Sequence, residues 1–388
     1  MAHRKSRVPT TRLGRLARIG FAAGELAVGG ATERIRRVAG DAPEQAVNAL
    51  LTATNARRLA QRLAGMRGAA MKMGQMLSME GPHILPPEFA QALAILRDSA
   101  DTMPHSQLRR VMGREFGKGW EEHFETFDFE PIAAASIGQV HRVTTRDGRD
   151  LALKIQYPGV ARSIDSDVEN MALFMRMLKI LPVNLDVDDI IAEAKRQLRQ
   201  EADYRQEAEF IRAYGENVRD NPVLCVPAVH DDLTTQRVLA MDYIEGEALE
   251  ALGEPEVPQE VRDRVGTELE RLLFRELFEF RMMQTDPNFA NYFYRPDDGT
   301  IVLLDFGSTI RFEADFTENY RRICVALIDD DVDGIWRHAE AIGYPVIVKP
   351  IAGAGSEHTY KVSSREELDG ILPALRGIPE VSVEEFVE

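Results

Sequence analysis

The stretch from Gln284 to Gly307 constrains this chain more than any other. It reads Gln-Thr-Asp-Pro-Asn-Phe-Ala-Asn-Tyr-Phe-Tyr up to Tyr294, turns at Arg295-Pro296-Asp297-Asp298-Gly299, and continues through Ile-Val-Leu-Leu to Asp-Phe-Gly. Two apolar runs around a Pro-Asp-Asp-Gly turn predict a short β-hairpin. Asp286 precedes the first run, Asn291 stands five residues later, and Asp305 closes the second run. The hairpin would carry all three to one mouth. Phosphoryl transfer needs such a set: a carboxylate to orient or deprotonate the acceptor, and an amide with a carboxylate to hold magnesium. An Asp-Phe-Gly tripeptide by itself is more often a solvated loop, and the spacing of both halves together favours a phosphate site.

The 388 residues are enough for two or three domains or lobes, and 44% hydrophobic with 28% charged residues describes a folded chain. A net charge of −16 argues against nucleic acid as a partner. Its sign is uneven. Residues 1–40 hold nine Lys or Arg against Glu25 and Glu33, a local +7 that leaves −23 for the remainder. Such a basic start reads as a solvated tail, a contact with an anionic membrane, or a targeting segment. No apolar run approaches 18 residues, so no membrane-spanning helix is expected. Cys225 and Cys324 are too few for a disulfide framework, which fits a reducing compartment, and no histidine spacing suggests zinc.

Leu59, Leu63, Met66, Met73 and Leu77 recur at helical steps across residues 45–80, and Lys72 and Gln75 fall on neighbouring positions of one face. Shorter helices are expected from Glu88 to Asp98 and from His105 to Gly117. From Phe127 the period becomes strand-like. A strand, the small-residue run Ala133-Ala134-Ala135-Ser136, a second strand, an Arg146-Asp147-Gly148-Arg149 turn and a third strand ending at Lys154 follow one another. Small side chains leave room for phosphates beneath such a loop, and Lys154 would reach them. Helices are predicted over 163–180 and, as one continuous element, from Val187 to Tyr214; Glu201 and Glu207 on that single helix would stand about 120° apart and serve two different cationic partners. The strand through Met241 and Tyr243 runs into a polar Gly turn, the form of an adenine-binding hinge. An apolar helix over 258–283, with Leu273 and Phe274 among its apolar residues, delivers the chain to Asp286, and helices are expected over 315–342.

In the order in which they occur, these residues resemble the UbiB/AarF family of atypical protein-kinase-like proteins over about residues 10–343. The motifs are Lys-x-Gly-Gln at Lys72 to Gln75, the Ala-rich loop, Glu-x-Asp-Tyr from Glu201 to Tyr204, Thr-Asp-Pro-x-x-x-Asn from Thr285 to Asn291, and Leu-Asp-Phe-Gly. The usual His-Arg ahead of a kinase catalytic Asp is replaced by Gln284-Thr285. The resemblance implies an α+β, bilobal protein-kinase-like fold with an N-terminal helical extension. It implies that Lys154 pairs with Glu207, that Asn291 and Asp305 bind magnesium, and that Lys72, Gln75 and Glu201 form a triad where a protein substrate would otherwise lie. It further implies ATP or another nucleotide with Mg2+, and an ATPase or small-molecule kinase supporting ubiquinone or other isoprenoid-quinone biosynthesis. Its expected partners are quinone-like lipid and quinone-biosynthesis enzymes, and its expected place is cytoplasmic, at the inner face of a membrane. A nucleotide-binding scaffold without turnover is the alternative.

The expected divisions are a basic segment over 1–40, the helical extension over 41–120, a kinase-like N-lobe over 121–246, a shortened C-lobe over 247–343, and a small α/β segment over 344–388. That last segment departs from the family and resembles part of an ATP-grasp enzyme. Lys349 on a strand, the Gly353-Ala354-Gly355-Ser356 loop and a helix opened by Ser363-Ser364 carry the likeness. No acidic metal ligands of that fold follow, which opposes a carboxylate–amine ligase.

Overall fold

The computed structural model describes residues 102–177, 187–285, 288–329, 331–343, 346–350, 360–362, 364, 366–367, 370 and 381–385. In chain order the strands are β1 (Phe124–Phe127), β2 (Ala133–Ala134), β3 (Gly138–Thr145), β4 (Asp150–Gln156), β5 (Leu224–Cys225), β6 (Val238–Asp242), β7 (Glu247–Ala248), β8 (Met282–Gln284), β9 (Tyr292–Arg295), β10 (Thr300–Leu303), β11 (Thr309–Arg311), β12 (Val346–Pro350), β13 (Tyr360–Val362) and β14 (Val381–Glu385). Two compact units share them. The first takes its described residues from positions up to 216, from 226–245 and from 304–307, and the second from 217–225, 246–303 and 308 onward.

The first unit is built on an antiparallel sheet in the order β1-β3-β4-β6, with β2 also paired to β3. β4 is central, and Leu151, Leu153 and Ile155 are fully buried. Because successive side chains of a strand point to opposite faces, Lys154 shares the other face with Ala152 and Gln156. Gly148, at a φ of 87°, makes the turn between β3 and β4, a conformation that costs glycine nothing. On β3, Gln139 and His141 are fully buried one step apart. The Gln139 carbonyl accepts the Met103 N–H at 2.8 Å, its amide meets His141 Nε2 at 2.6 Å, and His141 Nδ1 lies 2.7 Å from the Asp128 carbonyl. Since that carbonyl only accepts, Nδ1 carries the proton and Nε2 accepts from Gln139. Burial pushes the imidazole below its ordinary value and keeps it neutral. Trp120, Phe124, Phe127 and Phe129 pack as tilted and edge-on rings around this pin.

The helix expected from Val187 to Tyr214 is two helices, Val187–Glu201 and Tyr204–Val218. Asp203 breaks them apart: its carboxylate accepts the N–H groups of Arg205 and Gln206, which opens a new helix with a side-chain cap. The Gln156 amide then holds the break by donating to the Ala202 carbonyl at 3.0 Å.

In the second unit, β9 and β10 form the expected hairpin, with Gly299 at a φ of 74° in its turn. β5 joins β10 in parallel, and β7 joins β9, in a sheet ordered β5-β10-β9-β7. The helix expected to reach residue 283 runs Gln259–Arg275 and widens into a π-turn over Glu276–Phe280. Arg281 reverses the chain at a φ of 50°, so Met282–Gln284 is a strand paired with β11. Buried Glu276 accepts the Gln284 N–H at 3.1 Å across that reversal. Leu273 and Phe274, read as apolar helix residues, are exposed. Helices Ala314–Ile328 and Val332–Ile342 follow, the second capped by Asp331 on the Gly334 N–H. Near the carboxyl end, β12 is flanked by β13 and β14 in antiparallel register. The loop over 353–356 lies outside the described residues. No helix among the described residues is long and apolar enough to cross a membrane.

Gly138 begins β3 in a space with no room for a side chain: an added Cβ would stand 2.6 Å from the Ile155 carbonyl oxygen and 2.7 Å from the Tyr204 hydroxyl. Gly138→Ala is expected to cost about 1–3 kcal/mol of stability through backbone displacement. A thermal or denaturant melt indistinguishable from the parent protein would contradict this packing.

Candidate nucleotide site

Lys154 projects from the centre of the first unit's sheet into a site where only 10% of its side chain is exposed. Its ammonium donates to Glu207 Oε1 at 2.6 Å and lies 3.5 Å from Asp305 Oδ1. Burial by itself would lower the lysine's affinity for its proton. The neighbouring carboxylates of Asp305 and Glu207 outweigh that and hold it well above the ordinary lysine value. Glu207 feels the opposite balance. Burial pushes its carboxyl up to about 7, against the Lys154 ammonium, which pulls it down.

The helix break determines how the acids meet. Glu201 ends one helix and Glu207 lies in the first turn of the next, so the two converge instead of pointing 120° apart on one cylinder. Gly307 marks the meeting point. A Cβ there would stand 3.2 Å from Asp305 Oδ1, 3.5 Å from Glu201 Cγ and 3.7 Å from Glu207 Oε2. Oε2 of Glu207 is buried and has no hydrogen-bond partner among the described residues. Asp305 Oδ1 also accepts the Gly307 N–H at 2.9 Å, and Phe306, 1% exposed, packs 4.8 Å from Tyr214 on the same helix as Glu207. The Asp-Phe-Gly turn is thereby fixed to the helix that carries the partner of Lys154.

The small-residue run is part strand. Ala133 and Ala134 pair with Val140 and Gln139, and Ala135 bonds back to the Gly138 carbonyl at 2.9 Å. Ser136 donates its hydroxyl to Glu201 Oε2 at 2.6 Å. Met241 is buried in β6. Tyr243 donates its N–H to the Asp150 carbonyl, and the Arg142 guanidinium lies 3.9 Å from its ring centre. An adenine contact at Tyr243 would therefore fall to its carbonyl.

Asn291 ends a 3-10 turn in the second unit and is half-buried. Just ahead of Asp286, the Thr285 N–H and hydroxyl both bond to the Ser308 carbonyl, at 3.1 and 2.6 Å. Asp286 itself, with Lys72 and Gln75, lies outside the described residues. Sequence reasoning assigned nothing to Gly138 and named Tyr204 only as the end of a motif. The signal available for Gly138 was its place two residues after the small-residue run.

Asp305 and Glu207 turn carboxylate oxygens toward one glycine, and the Glu207 oxygen is buried with no hydrogen-bond partner among the described residues; two carboxylates do not hold a divalent cation unaided, and phosphate oxygens would have to complete the set. A central-strand lysine bonded to a helix glutamate, beside an Asp-Phe-Gly turn packed on that helix, defines the protein-kinase-like class of nucleotide site. The profile of the ABC1 atypical kinase-like domain matches residues 95–339, and the chain belongs to that family. It is 35% identical to the rat protein "Atypical kinase COQ8B, mitochondrial" over 96% of this chain and 74% of the rat one. It is 36% identical to the Saccharomyces cerevisiae "Atypical kinase COQ8, mitochondrial" over 88% of this chain and 68% of that one. The Caenorhabditis elegans relative "Atypical kinase coq-8, mitochondrial", at 39% identity, is spanned over only 46% of its length. Among solved structures, the chain is similar to Rv3197 of Mycobacterium tuberculosis in complex with erythromycin, with a TM-score of 0.53 and 30% identity over 85% of this chain and 81% of that one.

Glu207 generates a pH test. Its folded value of about 7 exceeds the ordinary 4.5, so the protonated form is the one the fold favours. That contribution is complete below about pH 4.5 and is lost as pH rises through about 7. His141, whose value is lowered, works in the reverse sense, and subtracting a Glu207→Gln variant removes it from the comparison. The stability of the parent protein relative to Glu207→Gln should fall by up to about 3 kcal/mol between those limits. Denaturant melts giving a difference that is flat with pH would contradict it.

Proposed function

We propose that this chain is a magnesium- and ATP-dependent atypical kinase-like enzyme, an ATPase or small-molecule or lipid kinase, that supports ubiquinone or other isoprenoid-quinone biosynthesis at a membrane surface. The observation that carries this reading is the meeting of Lys154, Glu207 and Asp305 around the Asp-Phe-Gly turn. Relatives called atypical kinases and mitochondrial supply the setting.

In this reading Lys154 contacts the α- and β-phosphates and Glu207 holds it in place. Ala133 to Ser136 lie over the phosphates, and Met241 and Tyr243 border the adenine. Asp305 and Asn291 hold magnesium, which when bound neutralises charge developing on the transferred group. Asp286 accepts the proton of the attacking hydroxyl or water. Ser136 and Glu201 form a latch between the loop and the helix end, and Lys72 and Gln75 join Glu201 from the N-terminal extension. Residues 1–40 add a basic contact with anionic lipid. The unit boundaries expected from sequence, an N-lobe over 121–246 and a shortened C-lobe over 247–343, are kept as functional divisions. Residues 344–388, the ATP-grasp-like segment, add no chemistry of their own.

Turnover of magnesium-ATP, with and without vesicles of anionic lipid, tests the reading. Asp286→Asn should lower it by roughly 10²–10⁴, the loss expected for a positioned acid–base group. Lys349→Ala should leave it within about twofold of the parent, since one phosphate contact without an opposed metal does not make a catalytic site. Turnover that survives Asp286→Asn and fails in Lys349→Ala would transfer the active site to the carboxyl segment. Binding of nucleotide with no turnover under any condition would support a scaffold instead.

A further inference from the structure

Tyr204, the first residue of the helix that carries Glu207, is fully buried. The centre of its ring lies 5.4 Å from Lys154 Nζ. Its hydroxyl stands 2.7 Å from the place a Cβ on Gly138 would occupy. That hydroxyl is buried and has no hydrogen-bond partner among the described residues. Burial pushes its ionisation up, while Lys154 pulls it down, and the O–H stays protonated. Phenylalanine would fill the same volume without a stranded donor, so packing alone does not account for a tyrosine here.

One side chain thus touches two parts of the site that lie on neighbouring strands: the lysine of β4, and the glycine that begins β3 after the small-residue run. An ammonium near the face of an aromatic ring is attracted by the ring's quadrupole, and more strongly where water is excluded. Glu207 fixes Lys154 by a hydrogen bond; the ring adds a second constraint, which remains when a nucleotide phosphate competes for the ammonium. We propose that Tyr204 is a positioning residue of the nucleotide site, holding the Lys154 ammonium through its ring and setting the turn at Gly138 through its hydroxyl. The proposal rests on the reading of Lys154 as the phosphate-contacting lysine.

Calorimetric titration of the full chain with magnesium-ATP at a temperature well below unfolding separates the possibilities. Tyr204→Phe keeps the ring and should bind within about threefold of the parent, whereas Tyr204→Leu should bind about tenfold more weakly. A trifluorinated phenylalanine in place of Tyr204 keeps the shape and weakens the ring's negative face, so its affinity should fall between the two. Should Tyr204→Leu not fold, the fluorinated ring carries the test by itself. The hydroxyl is read separately: adding Tyr204→Phe to Gly138→Ala should recover part of the melting temperature that Gly138→Ala loses. Equal affinities for the phenylalanine and its fluorinated form would overturn the ring's role, and no recovery in the double variant would overturn the hydroxyl's. A Lys154→Ala variant with undiminished affinity would instead overturn the reading of the lysine itself.

Discussion

A charged lysine inside a folded unit is the constraint on which the candidate site depends. The Lys154 ammonium is removed from water, and such a charge persists only if opposite charge and hydrogen bonds replace the lost solvation. Asp305 at 3.5 Å, with Glu207, provides the first of these and Glu207 at 2.6 Å the second. Each requirement reaches outward into the fold. Glu207 reaches the lysine because Asp203 restarts the helix, and Asp305 reaches it because Phe306 packs against Tyr214 on that same helix. The site's electrostatics and the unit's packing are therefore one problem with one solution.

Glu201, Glu207 and Asp305 crowd a glycine, and Oε2 of Glu207, without a hydrogen-bond partner among the described residues, carries a desolvation cost that a nearby cation would offset. Ser136 is bonded to Glu201, which ties the small-residue run to the same acidic cluster.

Much of this was readable in the chain. The strand pattern of β3 and β4, with a glycine at the turn, placed Lys154 on the second strand after the small-residue run, and the Pro-Asp-Asp-Gly turn marked the hairpin that ends at Asp305; that β4 is central shows only in the pairing. The helix break was missed because apolar positions keep a helical period through Ala202. The signal was present in Asp203-Tyr204-Arg205-Gln206, an N-cap acid followed three residues later by glutamine. The π-turn over Glu276–Phe280 has no such signature, since it arises from the left-handed reversal at Arg281 and the buried Glu276 bond to Gln284. Neither was the pin of Gln139 and His141 visible. Polar residues on an alternating strand suggest a solvated face, and only the packing of residues 102–129 over β3 buries them.

The central claim is that Lys154 and Glu207 act as one unit in holding nucleotide. A double-mutant cycle on magnesium-ATP affinity, with Lys154→Met, Glu207→Gln and the pair, measures this directly. If the account holds, the double variant binds no more weakly than Lys154→Met, and the coupling between the sites exceeds about 1 kcal/mol. Losses that simply add, each residue contributing without regard to the other, would contradict it.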